Sequence, residues 1–217
     1  MNRYFERYAF AQSLIGKAPA KGLSMVVVIP CYNEPDLLPT LNSLLACTPP
    51  PGVVEVLIVV NEPDGAAAAV QQQNRQTLHS LKRWQTEVKP WFALHSAYLT
   101  LPAKTAGVGL ARKAGMDDAA RRFELLHKPH GVIVCLDADC TVAPNYLTAI
   151  YDTFCRSKQP PIGAVVYFEH PLPEESRLRS GIVQYELHLR YYVQALAHIG
   201  YPFAHHTVGS TIVVRQD

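Results

Sequence analysis

The sequence predicts an α/β protein with a mostly parallel central sheet and helices on both faces of that sheet. Two observations support this fold class. Short, continuously apolar runs such as MVVVIP (25–30) and VEVLIVV (54–60) are typical of strands buried on both faces. Amphipathic stretches lie between such runs, and strand–helix alternation of this kind indicates a parallel sheet covered by helices.

The elements follow one another without an internal repeat or a linker, so we predict a single domain over residues 1–217. Strands are predicted, in chain order, at 25–30, 54–60, 92–99, 131–139, 162–170 and 210–215. Helices are predicted at 35–47, 66–86, 107–126, 144–156 and 177–200. The first helix ends before TPPPG (48–52), because consecutive prolines cannot continue a helix.

The last predicted helix carries a regular apolar face, which we expect to pack against the core. Its apolar side chains recur at alternating spacings of four and three residues, at Leu178, Ile182, Tyr185, Leu189, Tyr192 and Leu196.

Composition limits the classes of partner. A net charge of +2 is too small to indicate nucleic acid or a membrane surface as a partner. The N-terminus lacks a signal peptide's apolar stretch, and no window approaches the ~20 apolar residues of a membrane span. Five cysteines without a CxxC pair indicate free thiols in a reducing compartment. We therefore expect a cytoplasmic protein, and a membrane-bound acceptor stays open.

Two carboxylates follow the predicted strand GVIVCLDAD, at Asp137 and Asp139. Alternate side chains of an extended segment point to one side, so both carboxylates could face one ligand. Hard oxygen ligands at a strand end suit Mg²⁺ or Mn²⁺ bridged to substrate phosphates. The alternative interpretation is an ordinary strand exit, where Asp suits the turn.

The first strand ends in IPCYNEP (29–35), which places an aromatic ring, an amide and an acid at the same edge of the sheet. Such a loop could hold a base and a ribose. A strand-to-helix turn with capping groups is the alternative interpretation.

Together, VVVIPCYNE, a second strand with a polar acidic end, GLARKAG and VCLDAD resemble the family 2 glycosyltransferases of the GT-A fold, over roughly residues 24–215. The resemblance implies a nucleotide-sugar donor, a UDP-sugar by default, and Mn²⁺ or Mg²⁺ as cofactor. The acceptor could be a glycan, a lipid or a small molecule.

The resemblance also implies roles for particular residues. Pro30, Tyr32 and Glu34 would line the nucleoside pocket. Arg112 matches the basic residue of the family's Ala-Arg-Asn segment near the nucleotide, and Lys113 stands where Asn is usual.

For the metal and the phosphates, the resemblance implies a second group of residues. Asp137 would approach the ribose or the metal, with Ala138 beside the nucleotide, and Asp139 would bind the metal directly. A late histidine completes the metal shell in several GT-A enzymes, and His206 is the candidate here. A polar loop pair, His205-His206, is the alternative interpretation.

Two departures from the family pattern bear on function. Asn61-Glu62 replaces the usual base-contacting Asp, which leaves base preference open. The family's general base, a carboxylate, lies in an acidic segment after the strand corresponding to 210–215, and the sequence ends at Asp217. We therefore assign no catalytic residue and expect a domain truncated before that segment, which binds donor but transfers sugar slowly or not at all.

Two other functions remain as alternatives. A nucleotide-sugar-binding module without transfer activity would share the same donor pocket. DADCT (137–141) also mimics the nucleophile motif of haloacid-dehalogenase-like phosphohydrolases. That chemistry needs an acidic pair at the end of a later strand, and the sequence after Thr141 offers none.

Overall fold

The computed structural model describes residues 3–206 and 208–216. Its strands are β1 (Leu23–Cys31), β2 (Val53–Pro63), β3 (Ala93–Leu101), β4 (Val132–Cys135), β5 (Gly163–Val165) and β6 (Ile212–Arg215). Its α-helices are α1 (Arg3–Arg7), α2 (Leu38–Leu45), α3 (Ala68–Val88), α4 (Val108–Leu125), α5 (Tyr146–Tyr151) and α6 (Ser176–His198). A π-helical segment, Asp152–Arg156, extends α5, and a 3₁₀ turn, Gly209–Thr211, leads into β6.

The strands form one sheet in the order β3-β2-β1-β4-β6-β5. β1 pairs in parallel with β2 and β4, β2 pairs in parallel with β3, and β6 runs antiparallel to β4 and β5. The predicted α/β class with a mostly parallel sheet is therefore confirmed. The strand order reverses at β1, and in open sheets of this kind ligands bind at the carboxyl ends of the strands at such a reversal.

Helices cover both faces of the sheet, because successive side chains of a strand point to opposite faces. Val26 and Val28 of β1 pack with Ala111, Ala114 and Phe123 of α4 on one face. On the other face, Met25, Val27 and Ile29 join the buried side chains of α2, α3 and α5, which include Leu41, Leu44, Leu81, Trp84, Leu147 and Ile150.

Gly115 allows α4 to approach the sheet closely. A Cβ at this position would lie 2.4 Å from Cγ1 of Val28 and 3.0 Å from Cγ2 of Val59. Both neighbours are buried strand side chains, so a larger residue would push α4 away from β1 and β2. This contact sets the distance between the sheet and the first turns of α4.

Buried carboxylates of α4 hold the N-terminal segment across that helix. Asp117 accepts hydrogen bonds from the Tyr4 hydroxyl at 2.7 Å and from the main-chain N–H of Phe10 at 2.6 Å. Asp118 accepts a bond from the main-chain N–H of Leu14 at 2.7 Å. Both carboxylates lie in residues that are nearly fully buried, and these donors offset the cost of their desolvation.

Three predicted strands have clearly different lengths in the structure. The strand predicted at 131–139 is reduced to Val132–Cys135, because the chain turns at residues 137–140. β2 continues to Pro63 rather than ending at residue 60, because β3 stays paired with it as far as Leu101. The strand predicted at 162–170 is reduced to Gly163–Val165. It lies at the end of the sheet, and its one partner, β6, has only four residues, so ladder pairing ends early.

The prediction that the apolar face of α6 packs into the core is wrong. None of its residues is buried, and Leu178, Tyr185 and Tyr192 are each about half exposed. Helical periodicity specifies that one face is apolar, but it does not specify what covers that face.

In the described part of the chain, no helix combines the length and the hydropathy needed to cross a bilayer.

Candidate functional site

The polar residues after β4 and after β1 lie at one edge of the sheet. Val28 of β1 pairs with Cys135 of β4, and the N–H of Leu136 donates to the carbonyl of Val28 at 3.1 Å. The chain therefore leaves β4 for Asp137 directly beside the last residues of β1. The aspartate motif and the loop after β1 thus meet at the reversal of strand order.

Arg112 and Asp137 form an ion pair at this edge. Nη2 of Arg112, in the second turn of α4, lies 2.5 Å from Oδ1 of Asp137. The arginine side chain is 16% exposed and that of Asp137 is 33% exposed, so the pair is partly shielded yet open to a ligand. The sequence predicted both residues near the nucleotide, and the structure brings them together.

Gly209 lies close to the guanidinium of Arg112. A Cβ at this position would lie 2.4 Å from Nη1 of Arg112 and 2.8 Å from Cζ. The turn before β6 therefore passes over Arg112 as close as glycine permits. Sequence reasoning missed this contact, because residues 112 and 209 are far apart in the chain.

Asp139 is exposed and does not share the environment of Asp137. The expectation that both carboxylates project from one extended segment is wrong, because residues 137–140 form a turn. The N–H of Cys140 donates to the carbonyl of Asp137 at 3.3 Å. One carboxylate consequently faces Arg112, while the other is presented to solvent.

The environment of the aspartate turn raises the pKa of the Cys140 thiol. Burial, together with the Asp139 and Asp137 carboxylates, raises the pKa of Cys140 to about 11. The Cys140 thiol is therefore protonated at neutral pH, and its Sγ lies 3.7 Å from Oδ1 of Asp139.

Ala138 contributes through its main chain. Its carbonyl accepts a hydrogen bond of 2.6 Å from Oγ1 of Thr40, a nearly fully buried residue of α2. This bond fastens the aspartate turn to the helix that follows the first loop. Thr40 is a second residue that the sequence analysis did not single out.

The loop after β1 presents Tyr32 and Glu34, and side chains of α3 hold it. Tyr32 is 51% exposed, and Asn33 adopts a left-handed backbone conformation with φ of 50°. The N–H of Asn33 donates to Oδ1 of Asn74 at 3.0 Å. The carbonyl of Glu34 accepts bonds from Oγ1 of Thr77 at 2.9 Å and Nε2 of Gln73 at 3.2 Å.

Asn74 is the centre of this support. It is fully buried, and its Nδ2 also donates to the carbonyl of Asn61 at 3.1 Å and to Oε2 of Glu62 at 3.2 Å. A buried Asn amid an Ala- and Gln-rich helix gives no sequence signal of its own, because its partners come from two different strand ends.

Asn61 lies within β2 rather than in a loop after it. Its residue is 2% exposed, and its Nδ2 donates to the carbonyls of Cys31 at 3.0 Å and Val59 at 3.3 Å. Pro30 likewise lies within β1, paired with Val59. Both residues are thus part of the strand framework below the loop, and their contact with a nucleotide stays a prediction.

His206 is half-buried, and its ring contacts Phe168 with centroids 5.6 Å apart. Across residues 3–206 and 208–216, no three or more His, Cys, Asp or Glu side chains are grouped so as to hold a metal ion. Metal ligation by His206 therefore stays a prediction.

Lys113, which stands where the family pattern has Asn, faces away from the Arg112–Asp137 pair. Its Nζ lies 2.5 Å from Oδ2 of Asp117 and 3.2 Å from the Tyr4 hydroxyl. Its charge balances Asp117 in the N-terminal network.

A cleft of about 760 Å³ adjoins the loop on its α3 side. Glu34 lines it together with Asp36, Arg75 and His79, whereas Asp137 and Asp139 do not. The aspartate turn instead borders the open edge of the sheet.

Comparison with known families identifies a match to the model described as glycosyl transferase family 2, over residues 26–217. That match covers most of the chain, confirms the resemblance found in the sequence, and argues against the phosphohydrolase alternative. No curated protein matches the chain.

Among solved structures, TarS from S. aureus (residues 1–349) has a TM-score of 0.46 at 16% identity, over 89% of this chain and 47% of that one. The same fragment of TarS in complex with UDP-GlcNAc has a TM-score of 0.37 at 21% identity, over 60% of this chain and 31% of that one. The mannosyltransferase PcManGT from Pyrobaculum calidifontis, in complex with GDP-Man and Mn²⁺, has a TM-score of 0.44 at 21% identity, over 72% and 39%. This chain spans less than half the length of these structures.

Proposed function

This chain belongs to glycosyl transferase family 2, and we propose that it binds a nucleotide-sugar donor between β1 and β4 and transfers the sugar to an acceptor hydroxyl. The observation that carries this proposal is the Arg112–Asp137 ion pair beside the exposed Asp139, at the reversal of strand order. A cation and two carboxylates are thereby available where a diphosphate would lie.

Arg112 is the group suited to the diphosphate. A guanidinium offers several fixed donors that match phosphate oxygens, and charge-assisted bonds of this type are roughly twice as strong as neutral ones. Its guanidinium is held by the ion pair with Asp137 and lies close to Gly209. It can therefore receive negative charge without first being ordered.

The donor set at the aspartate turn fits a divalent cation. Mg²⁺ and similar ions commonly bind one or two carboxylates and complete their shell with phosphate oxygens and water. Asp139 is exposed and Asp137 is one-third exposed, so both carboxylates are accessible to such an ion. When bound, the ion would neutralise charge that develops on the departing diphosphate.

The loop after β1 would hold the nucleoside. Tyr32 offers an exposed ring on which a base can stack, and Glu34 offers a carboxylate to ribose hydroxyls. The bonds from Asn74, Thr77 and Gln73 fix the backbone of this loop before ligand arrives. Preorganisation of this kind lowers the entropic cost of binding.

Calorimetric titration of UDP in the presence of Mn²⁺, and again after chelation, tests the proposal. We expect UDP to bind with Mn²⁺ and to bind much more weakly with EDTA, and Asp139→Ala to lose the dependence on metal. Asp152→Ala is the matched control, because Asp152 is an exposed carboxylate that pairs with Arg156 on the same helix. Equal affinity for UDP with and without metal would rule out the metal-assisted site.

A further inference from the structure

The aspartate turn is bonded to helices on both faces of the sheet, and the two helices hold different residues. Arg112 of α4 pairs with Asp137, the first carboxylate of the motif. Helix α2, which packs on the other face, holds Ala138 and Val142, the residues that flank Asp139 in the chain. The position of the exposed Asp139 carboxylate therefore depends on α2 as well as on the Arg112 pair.

Thr40 of α2 makes the first of these contacts. Its Oγ1 donates to the carbonyl of Ala138 at 2.6 Å, and both residues are buried. A threonine inside a helix often donates to the carbonyl four residues earlier, as Thr86 and Thr153 do in this chain. The hydroxyl of Thr40, by contrast, donates across the helix–turn interface. A satisfied buried bond of this kind makes the main chain of the turn more rigid.

Ser43, one helical turn after Thr40, makes the second contact. Its Oγ accepts the main-chain N–H of Val142 at 3.1 Å and donates to the carbonyl of Thr40 at 2.8 Å. Side chains three residues apart lie on the same side of a helix, so both hydroxyls reach the segment after β4. Together they bond to one C=O before Asp139 and to one N–H after it.

The chain just after α2 extends this contact. The thiol of Cys47 donates to the carbonyl of Ala143 at 3.5 Å, and the main-chain N–H of Thr48 donates to the carbonyl of Pro144 at 2.9 Å. We call these bonds between residues 40–48 and 138–144 the α2 clamp. Because α2 also follows the nucleoside loop in the chain, one short helix links that loop to the aspartate turn.

We propose that Thr40 and Ser43 are positioning residues for the divalent cation, because the α2 clamp holds the Asp139 carboxylate where it can bind the ion. This inference rests on the proposed function. A carboxylate on a free turn would have to be ordered when the ion binds, and the cost of that ordering lowers affinity. Groups that orient a metal ligand through hydrogen bonds typically contribute about 10- to 100-fold to metal affinity.

A purely structural role is the competing explanation, since removal of the Thr40 hydroxyl also leaves the buried carbonyl of Ala138 without its donor. That role predicts a lower Tm and an unchanged response to Mn²⁺ in the folded variant. Positioning predicts a weaker response to Mn²⁺ at a temperature where the variant is folded. It also predicts recovery in Thr40→Ser, which keeps the hydroxyl.

Calorimetry measures the affinity for UDP across a series of Mn²⁺ concentrations and with EDTA, below the Tm of every protein. In Thr40→Val, the Mn²⁺ concentration that gives half of the gain in UDP affinity should rise about 10- to 100-fold. The affinity for UDP in EDTA should equal that of the wild type, and Thr40→Ser should respond to Mn²⁺ as the wild type does.

Ser43→Ala is the second variant, because Ser43 is only half-buried and its loss leaves the bond from Thr40 to the turn in place. It should need several-fold more Mn²⁺. Without metal, amide hydrogen exchange in the peptide that contains Val142 should be faster, since that N–H loses its acceptor. The matched controls are Thr86→Val, in the last turn of α3, and Ser24→Ala, at the amino end of β1, and both should behave as the wild type.

A wild-type response to Mn²⁺ in both folded variants, with or without a lower Tm, would overturn the positioning role and leave the donor site intact. If Thr40→Val does not fold, a wild-type response in Ser43→Ala has the same meaning. Equal affinity of the wild-type protein for UDP with Mn²⁺ and with EDTA would instead refute the proposed metal site, and this inference with it.

Discussion

Nη2 of Arg112 on α4 lies 2.5 Å from Oδ1 of Asp137, the second residue after β4. This pair joins the helix on one face of the sheet to the turn that carries Asp139. A diphosphate bound here would share the guanidinium with Asp137. This ion pair leads to two predictions about how the affinity for UDP depends on the presence and position of the Arg112 side chain.

Arg112→Ala should weaken UDP binding by roughly 10- to 100-fold, the equivalent of a lost hydrogen bond to a charged group. Uridine, which lacks phosphate, should bind the variant and the wild type equally. Calorimetry with both ligands measures the difference. Arg75→Ala removes an exposed guanidinium that bonds to Gln71, and it should leave both affinities unchanged. A parallel loss of uridine affinity in Arg112→Ala would contradict a phosphate contact.

Gly209→Ala should displace the Arg112 guanidinium without unfolding the protein. The new Cβ would meet the end of a flexible side chain at 2.4 Å, and that end can move. We expect nearly unchanged Tm and clearly weaker UDP binding. Gly181→Ala, where a Cβ meets nothing within 4 Å, is the control and should keep the affinity. Wild-type affinity in Gly209→Ala would show that the turn before β6 does not position Arg112.

Asn61→Asp should destabilise the fold by about 1–3 kcal/mol, because a carboxylate would face the carbonyls of Cys31 and Val59 where the amide now donates. The family's usual Asp is therefore unsuited to this position. Thermal denaturation should give a Tm lower by several degrees. Asn145→Asp, at an exposed position before α5, is the control and should be neutral. An unchanged Tm together with tighter UDP binding would contradict this structural role of the Asn61 amide.

Alkylation of Cys140 should rise steeply with pH. Its pKa is raised to about 11, mainly by burial, so the reactive thiolate is scarce at neutral pH and increases about tenfold per pH unit until that pKa is reached. Iodoacetamide labelling with EDTA present, read by peptide mass spectrometry, measures this. Exposed Cys155 should be labelled faster than Cys140 at pH near 8. Rapid labelling of Cys140 at neutral pH would contradict the burial of its thiol.

The buried centre of the fold could be predicted from the sequence because local pattern and tertiary environment agree there. Val26, Val27 and Val28 of β1 are β-branched, continuously apolar and fully buried, as both faces of a parallel strand require. Asp137 and Arg112 were also predicted near one site from local sequence motifs, and their side chains are in contact in the structure.

The remaining features depend on contacts that no local pattern specifies. YFEH (167–170) has strand-like residues, but β6 is too short to pair with it, and side chains of α6 hold it instead. Asn74 joins two strand ends from a helix whose composition gives no sign of this role. The exposed face of α6 shows the same limit, since amphipathicity does not identify a partner.

A crystal structure of the chain with UDP and Mn²⁺, with anomalous data at the manganese edge, would show directly whether donor and metal bind at the aspartate turn. We expect a manganese peak within coordination distance of the Asp139 carboxylate, the diphosphate against Arg112, and the uracil against Tyr32. A manganese peak away from residues 137–139, or UDP bound in the cleft beside α3 with Arg112 still paired only to Asp137, would contradict this expectation.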